Sequence, residues 1–247
     1  MELVLVVGAG AALAGFVQGL TGFGFSLAAM SLWAWLLEPQ LAASLAVFGG
    51  LCGQAFSAAT VRRGFDGRRL LPFLAGGALG LPLGVAVLPH LDVGAFKLVL
   101  GALLVTVSSL MLALPRLPRI RRGGRFGDAL AGLSGGAMSG LGGFAGVVPS
   151  LWCTLRGFEK HAQRSVIQNF NLAMLAATFA GYLALGVARA SHLPLYALVA
   201  PAVVLCSFAG SRVYGRISEA AFRRAVLVLV GLSGAALLAA GLRLAPS

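Results

Sequence analysis

Uncharged amides are the groups in this chain best placed to do chemistry. Gln168, Asn169 and Asn171 stand a few residues into one apolar run, and Gln18 and Gln54 lie inside two others. Residues 168 and 171 share a helix face, so two carboxamides can turn into one cavity and offer N–H donors to an oxyanion. Asn169 points away from that pair. Two glycine-rich stretches supply a second set of donors, one with Thr21, Gly22 and Gly24, the other with Ser139, Gly140, Gly142 and Gly143. A helix N-terminus carries about half a positive charge and unpaired backbone N–H groups. Two half-helices starting after these glycines can therefore aim both dipoles at one anion.

The charged residues stay clear of this machinery. Glu2, Glu38, Asp66, Asp92, Asp128, Glu159 and Glu219 fall at segment ends or in loops, as do His90, His161 and His192. Intramembrane carboxylates are the usual proton relays of coupled transporters, and their absence from mid-span positions points to a neutral site. Cys52, Cys153 and Cys206 lie far apart without a histidine beside them, so neither a disulfide nor a metal site is expected. A serine nucleophile at Ser134 or Ser139 would need a histidine at matching depth, and all three histidines lie at span ends. No enzyme and no cofactor are expected.

The elements that position these groups are membrane helices. Hydrophobic residues make up 59% of the 247, charged residues 11%, and mean hydropathy is +0.93, values far from those of a soluble domain. The net charge of +12 reads as topology signal rather than nucleic-acid binding, since the basic residues form short clusters between apolar runs. Those runs cover about 3–37, 41–61, 70–89, 95–114, 128–155, 164–187, 193–213 and 221–242. Six have the roughly 20-residue length that spans a bilayer. Runs 3–37 and 128–155 are longer and broken by glycine.

The basic clusters sort the alternatives. They are Arg62, Arg63, Arg68 and Arg69; Arg116, Arg119, Arg121, Arg122 and Arg125; Arg156, Lys160 and Arg164; and Arg212, Arg216, Arg223 and Arg224. If every run crosses once, the clusters divide almost evenly between the two faces. If both broken runs dip in and return, all four clusters lie on the cytoplasmic side and only Lys97, Arg189 and Arg243 lie outside. The second arrangement is expected, with half-helices of about 13 residues, long enough to pass the midplane. For run 3–37 a tilted, broken crossing satisfies the charges equally well. Trp33, Trp35, Trp152 and Tyr196 near run ends read as interfacial belt residues.

The two broken runs resemble one another. Leu13-Ala14-Gly15 parallels Leu130-Ala131-Gly132, Thr21-Gly22 parallels Ser139-Gly140, and Ser31-Leu32-Trp33 parallels Ser150-Leu151-Trp152. The expected organisation is one membrane domain over 1–247, with repeat one at 1–114, a basic cytoplasmic loop at 115–126 and repeat two at 127–247. Corresponding loops carry opposite charge character, so the copies are inverted, an arrangement typical of transporters with a site near the midplane. The fold class is thus an all-α polytopic membrane protein of two inverted repeats, each a glycine-broken first segment plus three transmembrane helices.

The stretch Gly15-Phe16-Val17-Gln18-Gly19-Leu20-Thr21-Gly22-Phe23-Gly24-Phe25 resembles the first segment of the sulfite exporter TauE/SafE family, also called the toluene sulfonate uptake permeases. The second glycine run, with its following proline and basic loop, is similar to that family's repeated second motif. The resemblance implies a bacterial inner-membrane permease for a small sulfur-containing or related organic anion, with neither substrate nor direction specified. The partners expected are that anion and the lipid bilayer, with no nucleic acid; a homo-oligomer is compatible with the sequence. Competing readings are a passive small-anion channel and a purely structural membrane protein.

Overall fold

The computed structural model describes residues 2–22, 24–60, 64–113, 120, 123–213 and 219–244 (backbone only at 160 and 219–223). Arg62, Arg63, Arg116, Arg119, Arg121, Arg122 and Arg216, with most of the 115–126 loop, lie outside those residues. The described chain is helical: α1 (Glu2–Thr21), α2 (Phe25–Leu36), α3 (Pro39–Thr60), α4 (Gly67–Val87), α5 (Val93–Ala113), α6 (Gly124–Gly142), α7 (Val147–Leu155), α8 (Lys160–Ala184), α9 (Leu193–Val213) and α10 (Glu219–Leu244). Among the described residues seven helical segments are long and apolar enough to cross a membrane, namely α1, α3, α4, α5, α8, α9 and α10. The protein is thus a polytopic helical membrane protein whose elements follow the eight apolar runs.

Each broken run folds back on itself. α1 stops where Gly22 takes the left-handed conformation (φ +77°) and its N–H caps Gln18 O at 2.7 Å. α6 stops the same way at Gly143 (φ +82°), whose N–H caps Ser139 O at 2.7 Å. Glycine enters that conformation without the Cβ penalty. The return helices then lie against the start of the outgoing ones. The Trp33 indole N–H of α2 donates to Val6 O of α1 (3.2 Å). In the second hairpin Arg156 Nη1 donates to Gly124 O (2.9 Å), and Ile120 N–H donates to Leu155 O (2.8 Å). Run 3–37 is therefore a hairpin like run 128–155.

The arms are unequal, however. α1 and α6 contain 20 and 19 residues and α2 and α7 only 12 and 9, in place of matched half-helices. The residues at the two hairpin bases explain how the arms meet. Gly10 faces Trp33 and Gly127 faces Trp152, and a Cβ at either glycine would overlap the indole. Trp33 is consequently fully buried and Tyr196 is 6% exposed, which corrects their reading as interfacial belt residues. Trp35, 39% exposed, keeps the surface position expected of it. Asp128 sits near the start of α6, at a segment end as expected, but is buried there and paired with Arg156 at 3.4 Å.

The helices exchange partners between the halves of the chain. α1 lies along α9, and α6 lies along α4; α3 packs on α8 and α9, and α8 packs on α3 and α4; α5 and α10 pair with each other. Glycine permits the closest of these approaches. Gly76, Gly80 and Gly84 of α4 lie on the backbone of Ala129, Leu133 and Ala137 in α6, and Gly19 of α1 lies on that of Ser207 in α9. Small residues are the usual route to such close packing in lipid.

Candidate functional site

The two hairpin tips meet. Ser26, in the first turn of α2, donates its hydroxyl to Gly143 O at the tip of the other hairpin (2.9 Å). Beneath this bond is a small cavity lined by Gln18 of α1, Gly24 and Phe25 at the first break, Gly50 and Gln54 of α3, Gly143 and Gly146 at the second break, and Asn171 and Leu175 of α8. Gly50 and Gln54 fall near the middle of α3, and Asn171 and Leu175 near the middle of α8. The cavity leaves ≈ 30 Å³ for the centres of water-sized molecules, room for about two.

Its walls are neutral. Gln18, Gln54 and Asn171 are 4%, 2% and 4% exposed. Gln54 Nε2 donates to Gly22 O (3.1 Å), holding the end of α1 to the middle of α3. Gln18 Nε2 reaches Gly50 O at 3.4 Å, and its amide lies flat on Gly53, where a Cβ could not fit. The Asn171 amide lies in the same way on Gly146, the N-cap of α7. α2 and α7 both begin beside this cavity. In α7 the Val147 N–H is taken by Phe144 O (3.3 Å) and Pro149 has no N–H, so that turn offers fewer donors than a regular helix start.

The residues singled out from the sequence divide into two groups. Gln18, Gly24, Gly143, Asn171 and Gln54 line the cavity. Gly22 sits at its edge, with the Gln168 amide close by and its carbonyl taken by Gln54. The others stand back. Thr21 Oγ1 donates to Val17 O (2.8 Å) within its own helix. The hydroxyls of Ser139 and Thr178 are 2.7 Å apart, in contact with each other instead of the cavity. Gly140 accepts the Tyr182 hydroxyl (2.8 Å) and abuts the backbone of Gly84, while Gly142 packs on Met30 and Phe144. Asn169 turns outward, donating to Ser165 O (2.8 Å) and Gly64 O (3.3 Å).

Sequence reasoning missed Ser26. Its position two residues after Gly24, in the first turn following the break, was the available signal. It also matched Thr21 with Ser139, whereas the capping bonds pair Gly22 with Gly143 and hence Gln18 with Ser139. From the Gly–Trp base to its tip, α6 is one helical turn longer than α1.

The two ends of the bundle differ. Asp66, Arg68, Arg69, Arg125, Asp128, Arg156, Phe158 and Glu159 line a wide cavity at one end, with ≈ 640 Å³ of room by the same measure. Residues from three basic clusters are therefore gathered on one face. On the other side of the tips, rings from α3, α8 and α9 cluster in tilted and edge-on contacts: the ring centroid of Phe48 is 4.7 Å from that of Tyr196, Phe179 is 5.8 Å from Tyr196, and Phe48 is 5.4 Å from Phe179.

Paired helical hairpins meeting inside a bundle of long apolar helices, over buried amides, define a multi-pass membrane protein built around an internal polar site. The profile of the family Sulfite exporter TauE/SafE matches residues 7–237, and the chain belongs to that family of membrane transporters. No match was found among curated proteins or among solved structures.

Proposed function

We propose that the protein is a bacterial inner-membrane permease that moves a small oxyanion of the sulfite or sulfonate class by alternating access at the cavity between the hairpin tips. The halves 1–114 and 127–247 act as inverted repeats in this reading, and the partner exchange of α1 with α9 and α6 with α4 supports it. The arginine-lined end is cytoplasmic by the charge rule and gathers anions before the inner mouth. The observation that carries the proposal is the Ser26–Gly143 contact, which sets two helix N-termini and the amides of Gln18, Gln54 and Asn171 around one mid-bundle cavity.

A passive anion channel is the alternative. The small cavity and the cluster of Phe48, Phe179 and Tyr196 rings favour a carrier, because among the described residues they narrow the space around the tips. Purified protein in liposomes should take up labelled sulfite faster when unlabelled sulfite is preloaded inside; a channel gives no such counterflow. Asn171→Ala should reduce this flux about tenfold or more, the effect of losing one good ligand contact of roughly 1.4 kcal/mol. Gln168→Ala, one step from the cavity, should cost less. Membrane abundance should be unchanged in both, and unaltered flux in both variants removes the site assignment.

A further inference from the structure

The polar side-chain atoms turned into the cavity include acceptors that an anion alone would leave unsatisfied. Gln18 Oε1 and Asn171 Oδ1 are buried and have no hydrogen-bond partner among the described residues. Rotating the Gln18 amide does not remedy this: its Nε2 faces Gly50 O at 3.4 Å, and the exchange would set oxygen against oxygen. Ser26 has already committed its proton to Gly143 O, so its oxygen also presents lone pairs. An oxyanion among three acceptor oxygens is repelled by them, and a buried acceptor left without a partner costs about 1–3 kcal/mol.

We propose that a sodium ion occupies this cavity, ligated by Gln18 Oε1, Asn171 Oδ1 and Ser26 Oγ, and that the cavity widens to take the anion next to it during transport. The inference rests on the transport reading above and adds a coupling ion to it. The ligands are neutral oxygens from α1, α2 and α8, so one ion ties the first hairpin to the centre of the bundle. Divalent Ca²⁺ and Mg²⁺ are held largely through carboxylates, and softer metals call for thiolate or imidazole. No group of three or more His, Cys, Asp or Glu able to hold a metal occurs among the described residues. The small room favours the smaller of the common alkali ions. Sodium also offsets the charge of a monovalent anion, which lowers the cost of carrying that anion through an uncharged site. Helix breaks that present an N-terminal dipole to an anion and oxygen ligands to Na⁺ are an established transporter device.

The test uses the full-length protein, purified and reconstituted. Binding of ²²Na⁺ is measured directly by scintillation proximity, against choline and K⁺ at constant ionic strength, with and without sulfite. The inference expects saturable ²²Na⁺ binding that K⁺ competes poorly. Gln18→Leu and, separately, Asn171→Leu should weaken it by about tenfold or more. Sulfite and Na⁺ should also raise each other's affinity by the same factor, as linkage requires. Absence of ²²Na⁺ binding to the unmutated protein, or equal binding of K⁺, overturns the inference without reference to any variant's folding. Sulfite flux that is identical in Na⁺ and choline overturns it as well, while leaving the anion permease standing. Sodium binding that Gln18→Leu abolishes, in a protein that moves no sulfite, upholds the cation site and removes the substrate assignment instead.

Discussion

The two hairpins make the same turn with different fastenings. At the base of the first, Trp33 fills the space over Gly10 and donates a single hydrogen bond to Val6 O. At the base of the second, Trp152 donates to Asp128 Oδ1 (2.7 Å), Arg156 adds an ion pair to the same oxygen (3.4 Å), and the guanidinium stands 5.9 Å and 5.7 Å from the Trp152 and Phe158 rings. The base of the first hairpin is held by packing and one hydrogen bond, that of the second by packing plus a charge network. A broken segment thus folds back without charges, and the added charges anchor one hairpin to the basic face.

Breaking the network should have the largest effect. Asp128→Ala leaves Arg156 without its carboxylate and Trp152 Nε1 without its acceptor, and should cost about 3 kcal/mol, the low end for a broken buried pair because Arg156 still reaches water. Thermal unfolding in detergent measures it, and a loss no greater than that of an ordinary surface substitution would show the charges to be incidental. Next come Gly10→Ala and Gly127→Ala. Each inserts a methyl into an indole, at about 2 kcal/mol, and the two losses should be similar because this part of both bases is alike. Pairing each with a smaller aromatic at Trp33 or Trp152 should recover part of the loss. The smallest effect is expected at the tips, where Ser26→Ala removes one hydrogen bond between the hairpins, worth about 1 kcal/mol by the same measurement.

The sequence told most where the physics is local. Apolar length located every run, and glycine marked both breaks, because only that residue takes a left-handed helix end cheaply. Gln18, Gln54 and Asn171 were legible as buried amides in otherwise apolar surroundings. The tryptophans were not: Trp33 and Trp35 are near neighbours in one helix, and only the glycine on the facing arm decides which of them is buried. The register of the two breaks was hidden as well. Extra residues in the second repeat can enter either arm, and their absorption into α6 is settled by which glycine caps the helix. Ser26 was overlooked because its role depends on a carbonyl from the opposite half of the chain.

The exchange of partners has a consequence for how this protein is made. Seven of the described α-helices lie between α1 and α9, yet α9, which ends at Val213, is the helix that covers the Gly15–Gly19 face of α1. Until α9 has been made, that groove must rest against lipid or a chaperone. Early insertion and late completion are therefore separated by construction, with the first-made hairpin among the last to find its neighbour.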